Sequence, residues 1–417
     1  MYRLKTIVFS ILLLCISCRI VPAQDWPQWR GPNRDGKVSA FSPPANWPAK
    51  LVQRWKITVG KGDSSPVVEG QRVYLLARQD EQEIVRAFDL RTGRELWRAV
   101  YATNVPHLEI LKDHNQGPFA TPVIHQGRLY TLGVNGVISC FQAASGKLLW
   151  RKEAVGNAKD SYPIGGHTIS PLVVDGLLIA PVGGGKNAAL TAFNAQTGEK
   201  QWQWIGSYKS LEASIAFSSP IVVTAAGVKQ LVMLIDTGLV GLAAQSGQEL
   251  WKFPFSMDAD TIVTPVFYRD SLIISGQQQG LTAVKVSLTG KQWKAEQAWR
   301  NQELYNYMSS PVVHGDWLFG FSPRQKGRYF CADANTGKTL WQTEGRQGEN
   351  AALLAAGSNL FVLQDDATLL IVKPTEKNLE VVQRYQVADS ATWAHPVVLR
   401  NRLLIKDATS LTLWSFN

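Results

Sequence analysis

Apolar residues in this chain come in short runs separated by turn-forming residues, and the stretch after Pro122 shows the arrangement. Residues 123–124 and 128–131 flank a His125-Gln126-Gly127 turn, residues 137–141 form a third apolar run, and residues 147–150 form a fourth. Runs this short, rich in β-branched and aromatic residues and bounded by glycine, predict strands; an amphipathic helix would need a longer stretch with a period of about 3.6 residues. Each such unit reads as four strands.

The unit recurs. Ala87-Phe88-Asp89 is followed by Thr92-Gly93 and Trp97, Cys140-Phe141 by Ser145-Gly146 and Trp150, and Ala192-Phe193-Asn194 by Thr197-Gly198 and Trp202. Ser246-Gly247 leads to Trp251, Thr336-Gly337 leads to Trp341, and Thr289-Gly290 with Trp293 is a copy one residue shorter. The glycines are separated by 53, 52, 49, 43 and 47 residues, a step that suits four-stranded blades. A second marker, Ser/Thr-Pro before apolar residues, keeps the same step at Pro66, Pro122, Pro171, Pro220, Pro265 and Pro311, with His395-Pro396 as a late variant. The 85 residues from Pro311 to Pro396 fit two blades, with Ala351-Ala352-Leu353-Leu354 as a worn copy, so the markers count eight.

The predicted fold is therefore all-β, an eight-bladed β-propeller over residues 51–417. The final unit, 396–417, has room for three strands, and residues 51–59 around Arg54-Trp55-Lys56 look like the missing fourth. Pairing them closes the ring and removes free sheet edges. Thr/Ser-Gly supplies a positive φ before the last strand of each blade. Trp55, Trp97, Trp150, Trp202, Trp251, Trp293 and Trp341 are expected to dock adjacent blades by burying their large rings at the seams.

Composition changes this picture little: 417 residues, 45% hydrophobic and 18% charged, can bury a large core and match neither a disordered chain nor a membrane bundle. The N-terminus adds an address. Arg3 and Lys5 precede an apolar stretch at 6–17 and a small-residue Val21-Pro22-Ala23 site, the pattern of an export signal over residues 1–23. The rival reading makes Cys18 a lipid-modified first residue, although Cys15 stands where that signal wants leucine. Residues 24–50 are an N-terminal extension. Cleavage leaves 40 Lys+Arg against 33 Asp+Glu, net +7 and spread along the chain, which suits a solvated surface better than nucleic acid and leaves peripheral association with a membrane open. Cys140 and Cys331 fall in distant blades and are expected to be free, buried thiols.

The Ala-x-Asp-x-x-Thr-Gly-x-x-x-Trp pattern resembles the pyrroloquinoline-quinone (PQQ) propeller repeat, and the opening Asp25-Trp26-Pro27-Gln28-Trp29-Arg30-Gly31-Pro32-Asn33-Arg34-Asp35-Gly36 is similar to the start of exported bacterial proteins with such repeats. The resemblance implies one of two functions. Quinoprotein alcohol dehydrogenases hold PQQ and calcium in the propeller funnel beside a vicinal cysteine pair, which the mature chain lacks. The outer-membrane β-barrel assembly propeller is a periplasmic lipoprotein without enzymatic activity. The second implies a non-enzymatic monomeric scaffold at the periplasm or outer membrane that binds envelope proteins or an extended polymer without a cofactor; the first leaves a PQQ- and calcium-dependent oxidoreductase as the alternative.

Segments before each proline marker join the outer strand of one blade to the inner strand of the next and should line one mouth of the channel. They carry His107, His114, His167 and His395, together with Asp63, Asn115, Asp258, Asp260, Asn306, Tyr307, Asn350 and Trp393. From these, Asp63, His114, Asn115, His167, Asn306, Tyr307, Asn350, Trp393 and His395 form the candidate ligand face, since binding groups concentrate on loops held by a rigid scaffold. The alternative is that they cap strand ends and hold water. His125 and His314 fall in outer hairpins and read as surface residues. No paired His or Cys spacing indicates a metal, and Gly183-Gly184-Gly185-Lys186-Asn187 lacks the hydroxyl residue of a phosphate loop.

Overall fold

Each repeat folds as an antiparallel meander whose first strand lines the axis of the ring. In blade 2 the strands are Val123–His125, Arg128–Leu132, Ile138–Gln142 and Leu148–Lys152, paired in that order. The computed structural model describes residues 25–38, 41–103, 116–153, 166–183, 188–206, 218–256 and 262–417, and among them the elements form eight sheets with no helix. The middle strands are buried on both faces, as in Arg72–Gln79, while outer strands such as Glu95–Ala102 alternate. Both faces are covered because neighbouring sheets stack: Tyr74 and Leu76 of blade 1 share a cluster with Ile124, Leu129 and Phe141 of blade 2. The ring closes where Val52–Thr58 pairs with Ser410–Ser415, from Val52 opposite Ser415 to Thr58 opposite Ser410.

The Thr/Ser-Gly-Trp motif has a physical explanation at the seams. In blades 1, 3 and 6, Asp89, Asn194 and Asp333 accept hydrogen bonds from the amides of Thr92, Thr197 and Thr336, which fixes the turn. The following glycine takes a positive φ and lies under the tryptophan of the preceding blade. A Cβ at Gly146 would come within 2.5 Å of the Trp97 ring. The indole N–H then reaches the carbonyl three residues earlier, from Trp97 to Ala143 at 2.8 Å, from Trp55 to Leu90 at 3.0 Å and from Trp150 to Ala195 at 3.2 Å. Trp202 lies over Gly247 in the same way. Trp341 donates to Thr375 instead, at a blade 7 turn that has no glycine.

Blade 5 corrects the expectation for Trp293. Its last hairpin, Gly280–Thr289 with Gln292–Asn301, runs ten residues per strand, so the Gly290 turn stands away from any neighbour. Trp299, not Trp293, packs on Gly337 and donates to the Ala334 carbonyl at 3.2 Å. The lengthened hairpin instead covers blade 4. Trp251 is buried there, against Gly241 of its own sheet and bonded to Gln230 at 2.6 Å, with Trp293 at the edge of the same cluster. Trp299→Ala should therefore cost about 2–3 kcal/mol, from lost ring burial and one hydrogen bond, and Trp293→Ala about 1 kcal/mol. Urea midpoints that rank the two variants the other way would refute this assignment.

The Ser/Thr-Pro marker also has a role that its sequence alone does not reveal. At four of the prolines the amide of the preceding residue donates to the hydroxyl at the same position of the next blade: Ser65 to Thr121 at 3.3 Å, Thr121 to Ser170 at 2.9 Å, Ser170 to Ser219 at 3.1 Å and Thr264 to Ser310 at 3.0 Å. His395, the variant marker, donates to Ser65 at 2.8 Å and carries this belt across the closure. His125 and His314 are corrected in place: they end the innermost strands, on the face opposite the proline loops, and the His314 Nε2 lies 3.0 Å from the Gly357 carbonyl of the next blade.

Candidate functional site

The segment that the sequence sets before the repeats lies inside the ring. Residues 25–38 enter the channel from the hairpin face, turn at the level of the hydroxyl belt and return beside blade 7. Trp26 pairs antiparallel with Val68 of blade 1, through two 2.9 Å bonds, and its ring is buried. The Pro27 carbonyl accepts the Ile124 amide of blade 2 at 2.8 Å. Trp29 donates to Thr264 of blade 5 at 3.2 Å and meets the His395 ring of blade 8 edge-on at 5.0 Å. Lys37–Val38 then adds a parallel fifth strand to Ala351–Ala356 of blade 7.

Two arginines tie this plug to opposite walls. Arg30 donates to the Pro311 carbonyl of blade 6 at 2.7 Å, and Arg34 donates to Ser170 and Pro171 of blade 3 at 2.9 and 3.0 Å. Both are buried, and burial pulls them down to about 10 and about 9, with Arg30 further depressing Arg34. Gly36, with φ at 73°, makes room for this: a Cβ there would come within 2.8 Å of the Arg30 guanidinium. Trp26, Trp29, Arg30 and Arg34 were not legible as channel residues, because nothing in a single copy of the motif says where it docks. The signal was its density of tryptophan, arginine and glycine outside the repeat.

The described residues among those expected on the loop face sit in different settings. His167 is buried, with its amide on the Val134 carbonyl at 3.0 Å, and desolvation pulls its imidazole down to about 4. His395 is buried against Trp29 and held well below the usual histidine range by desolvation and by Arg30. Asn306 is fully buried and ties blade 5 to blade 6, its amide on Ser275 at 2.7 Å and its side chain on the Phe321 carbonyl at 3.1 Å. Nearer solvent, Asp63, Tyr307, Asn350 and Trp393 are half-buried. The Asp63 amide donates to Pro118 at 2.9 Å, the Asn350 amide to Asp365 at 3.0 Å, and the Tyr307 carbonyl accepts from Ile262 at 3.1 Å. His107, His114, Asn115, Asp258 and Asp260 lie outside the described residues, as do 184–187 of the glycine-rich segment.

Lys406 is a further group on this face. Buried beneath the Asp63 loop, its ammonium donates to the carbonyls of Gly62 at 3.0 Å, Asp407 at 2.7 Å and Ala408 at 3.3 Å, while burial pulls it down to about 8 against the opposing charges of Asp63 and Asp407. Glu83 is likewise buried and raised by desolvation, but its carboxylate accepts the Val134 amide at 2.8 Å and joins blades 1 and 2.

Among the described residues, the donor set does not fit a PQQ–calcium centre. Cys140 and Cys331 are free, buried in blades 2 and 6, and pushed up to about 11 and about 12 by burial. Among the described residues no group of three or more His, Cys, Asp or Glu is placed to hold a metal ion. No described helix is long and apolar enough to cross a membrane.

Comparison with known proteins agrees with the architecture. A family profile described as "Outer membrane protein assembly factor BamB" matches residues 52–112 and 80–343. The BamB of Burkholderia pseudomallei is 25% identical over 367 residues, covering 78% of this chain and 88% of that protein. The crystal structure of BamB from Moraxella catarrhalis superposes with a TM-score of 0.63 at 15% identity, covering 88% of this chain and 99% of that one. Quinohemoprotein alcohol dehydrogenase from Comamonas testosteroni superposes with a TM-score of 0.70 at 13% identity, covering 94% and 80% respectively, a likeness of fold. With eight PQQ-type blades in a closed ring and the profile spanning more than half of its length, the chain belongs to the outer membrane protein assembly factor BamB family.

Proposed function

We propose that this protein is an exported, non-enzymatic scaffold that binds a protein partner of the cell envelope through the proline-loop face. The observation that carries this reading is the plug: residues 25–38 occupy the axis from the hairpin face, so among the described residues the proline-loop face is the rim that the plug leaves uncovered. On that rim Asp63, Tyr307, Asn350 and Trp393 keep part of their surface in water, and half-exposed aromatic groups are the usual anchors of protein interfaces. The relatives are named for assembly of outer-membrane proteins, which makes a component or client of that process the first partner to try. Export by residues 1–23, attachment at Cys18 as its variant, and action as a monomer belong to the same proposal.

The test is binding of purified outer-membrane assembly proteins from the same envelope to the folded chain and to Tyr307→Ala/Trp393→Ala. Loss of two large anchors should weaken a rim interface by at least tenfold, about 1.4 kcal/mol or more. A control variant, Asp175→Ala on the opposite face, should bind as the wild type does. Equal binding by the double variant, or loss in the control alone, would sink the proposal.

A further inference from the structure

Basic turns and bare apolar side chains coincide on one sector of the hairpin face, formed by the neighbouring blades 8, 1 and 2. Lys50 and Arg402 belong to blade 8, Arg91 and Arg94 to blade 1, and Arg128 and Lys147 to blade 2; Arg128 and Arg402 are half-buried and the other four are exposed. Among the described residues none of the six lies within ion-pair distance of a carboxylate. Farther round the ring, basic groups of this face pair within the fold: Lys229 with Asp175 at 2.6 Å, Arg269 with Asp316 at 2.9 Å, and Lys285 with Asp270. The acidic groups of the sector are already engaged. Asp89 accepts the Thr92 amide at 2.8 Å, Glu95 is held by Arg86 and Arg98, Asp25 accepts the Gly70 amide at 2.8 Å, and Glu69 stands opposite Arg72 in register.

The apolar side chains are an independent observation. Of the seven large ones that stand exposed among the described residues, five belong to the outer strands of the same three blades: Val52, Leu96, Val100, Leu148 and Leu149, at 37–44% exposure. Val52, Leu96 and Leu148 lie at or next to the strand ends that meet the basic turns. Protein interfaces favour aromatic groups at their centre and exclude lysine. Aliphatic groups among long basic side chains are instead the composition of a surface that rests on lipid, the alkyl parts in the headgroup layer and the charged ends on phosphates. Asp25 is bonded to blade 1 on this face, so the sequence that precedes it, with its apolar run at 6–17, joins the ring here. We propose that this sector of the hairpin face rests on an anionic phospholipid surface, with Val52, Leu96 and Leu148 in the headgroup layer and the six basic groups on lipid phosphates. The proline-loop face then points away from the bilayer. Lipid and partner use opposite faces, so either contact can fail without the other.

Vesicle sedimentation of the full chain tests this, with phosphatidylcholine alone and with phosphatidylcholine mixed with phosphatidylglycerol. The run at 6–17 is common to every variant, so differences between variants belong to the ring. The wild type should bind the anionic vesicles at least tenfold more tightly than the neutral ones, and Arg91→Glu/Lys147→Glu should lose that preference while its melting stays that of the wild type. Lys326→Glu/Arg346→Glu makes the same change of charge on the loop face and should bind as the wild type does. Leu96→Asn/Leu148→Asn keeps every charge and should weaken binding at least threefold. Arg91→Gln/Lys147→Gln serves if the charge reversal does not fold. No preference of the folded wild type for anionic vesicles, full binding by the Arg91/Lys147 or Leu96/Leu148 variant, or an equal loss in the loop-face control overturns the proposal.

Discussion

Trp26→Ala is expected to lower the free energy of unfolding by about 3–5 kcal/mol, the range for deleting a fully buried tryptophan from a core that cannot collapse into the space. The residue is 1% exposed and shares one cluster with Val68 of blade 1, Phe361 of blade 7 and Val398 of blade 8. Its loss would open a gap where three blades and the plug meet. The plug backbone would keep its two bonds to Val68, so the measured loss is chiefly that of the ring. Urea denaturation of the two proteins checks this, and a loss below about 1 kcal/mol would mean that the plug lies outside the cooperative unit.

The second large effect is acid sensitivity. His167 is buried, and desolvation pulls its imidazole from the usual 6.5 down to about 4. Its neutral form is the one the fold accepts. Stability from this group is therefore complete above pH 6.5 and is lost as pH falls toward 4, by about 3 kcal/mol over that window. His395 has the same sign: a proton there would set a second cation beside Arg30 of the plug. Urea midpoints between pH 7.5 and pH 4 should fall steeply in the wild type and less in His167→Gln, which cannot take the proton. Parallel curves for the two proteins would show that His167 does not carry the effect.

The ring was legible because a propeller repeats its physics. Gly93, Gly146 and Gly198 mark the same turn, and the tryptophan of the preceding blade rests on each, so spacing alone located the seams. It failed at blade 5, where Thr289-Gly290 looks like the motif but ends a longer hairpin; the length of Gly280–Thr289 depends on its packing over blade 4, which no local pattern encodes. Those of the polar residues before the prolines that the structure describes lie on one face, yet the burial of His167, His395 and Asn306 was not foreseen. His395 and Asn306 look like binding groups in sequence because only the fold shows what lies over them, the Trp29 ring in one case and the Phe321 carbonyl in the other. The plug was the least legible part: a segment used once has no period to read.

Joining Val52–Thr58 to Ser410–Ser415 also has a consequence in time. The strand made first waits for the strand made last, and more than 350 residues separate the paired positions Val52 and Ser415. Contacts so distant in sequence form late and slowly. Until the final residues arrive, blade 8 lacks its third strand and the inner edge of Val52–Thr58 has no partner, an open edge of the kind that recruits wrong strands. A chain shortened by its last few residues would thus lose far more than a frayed end, because it would leave a ring that cannot be latched.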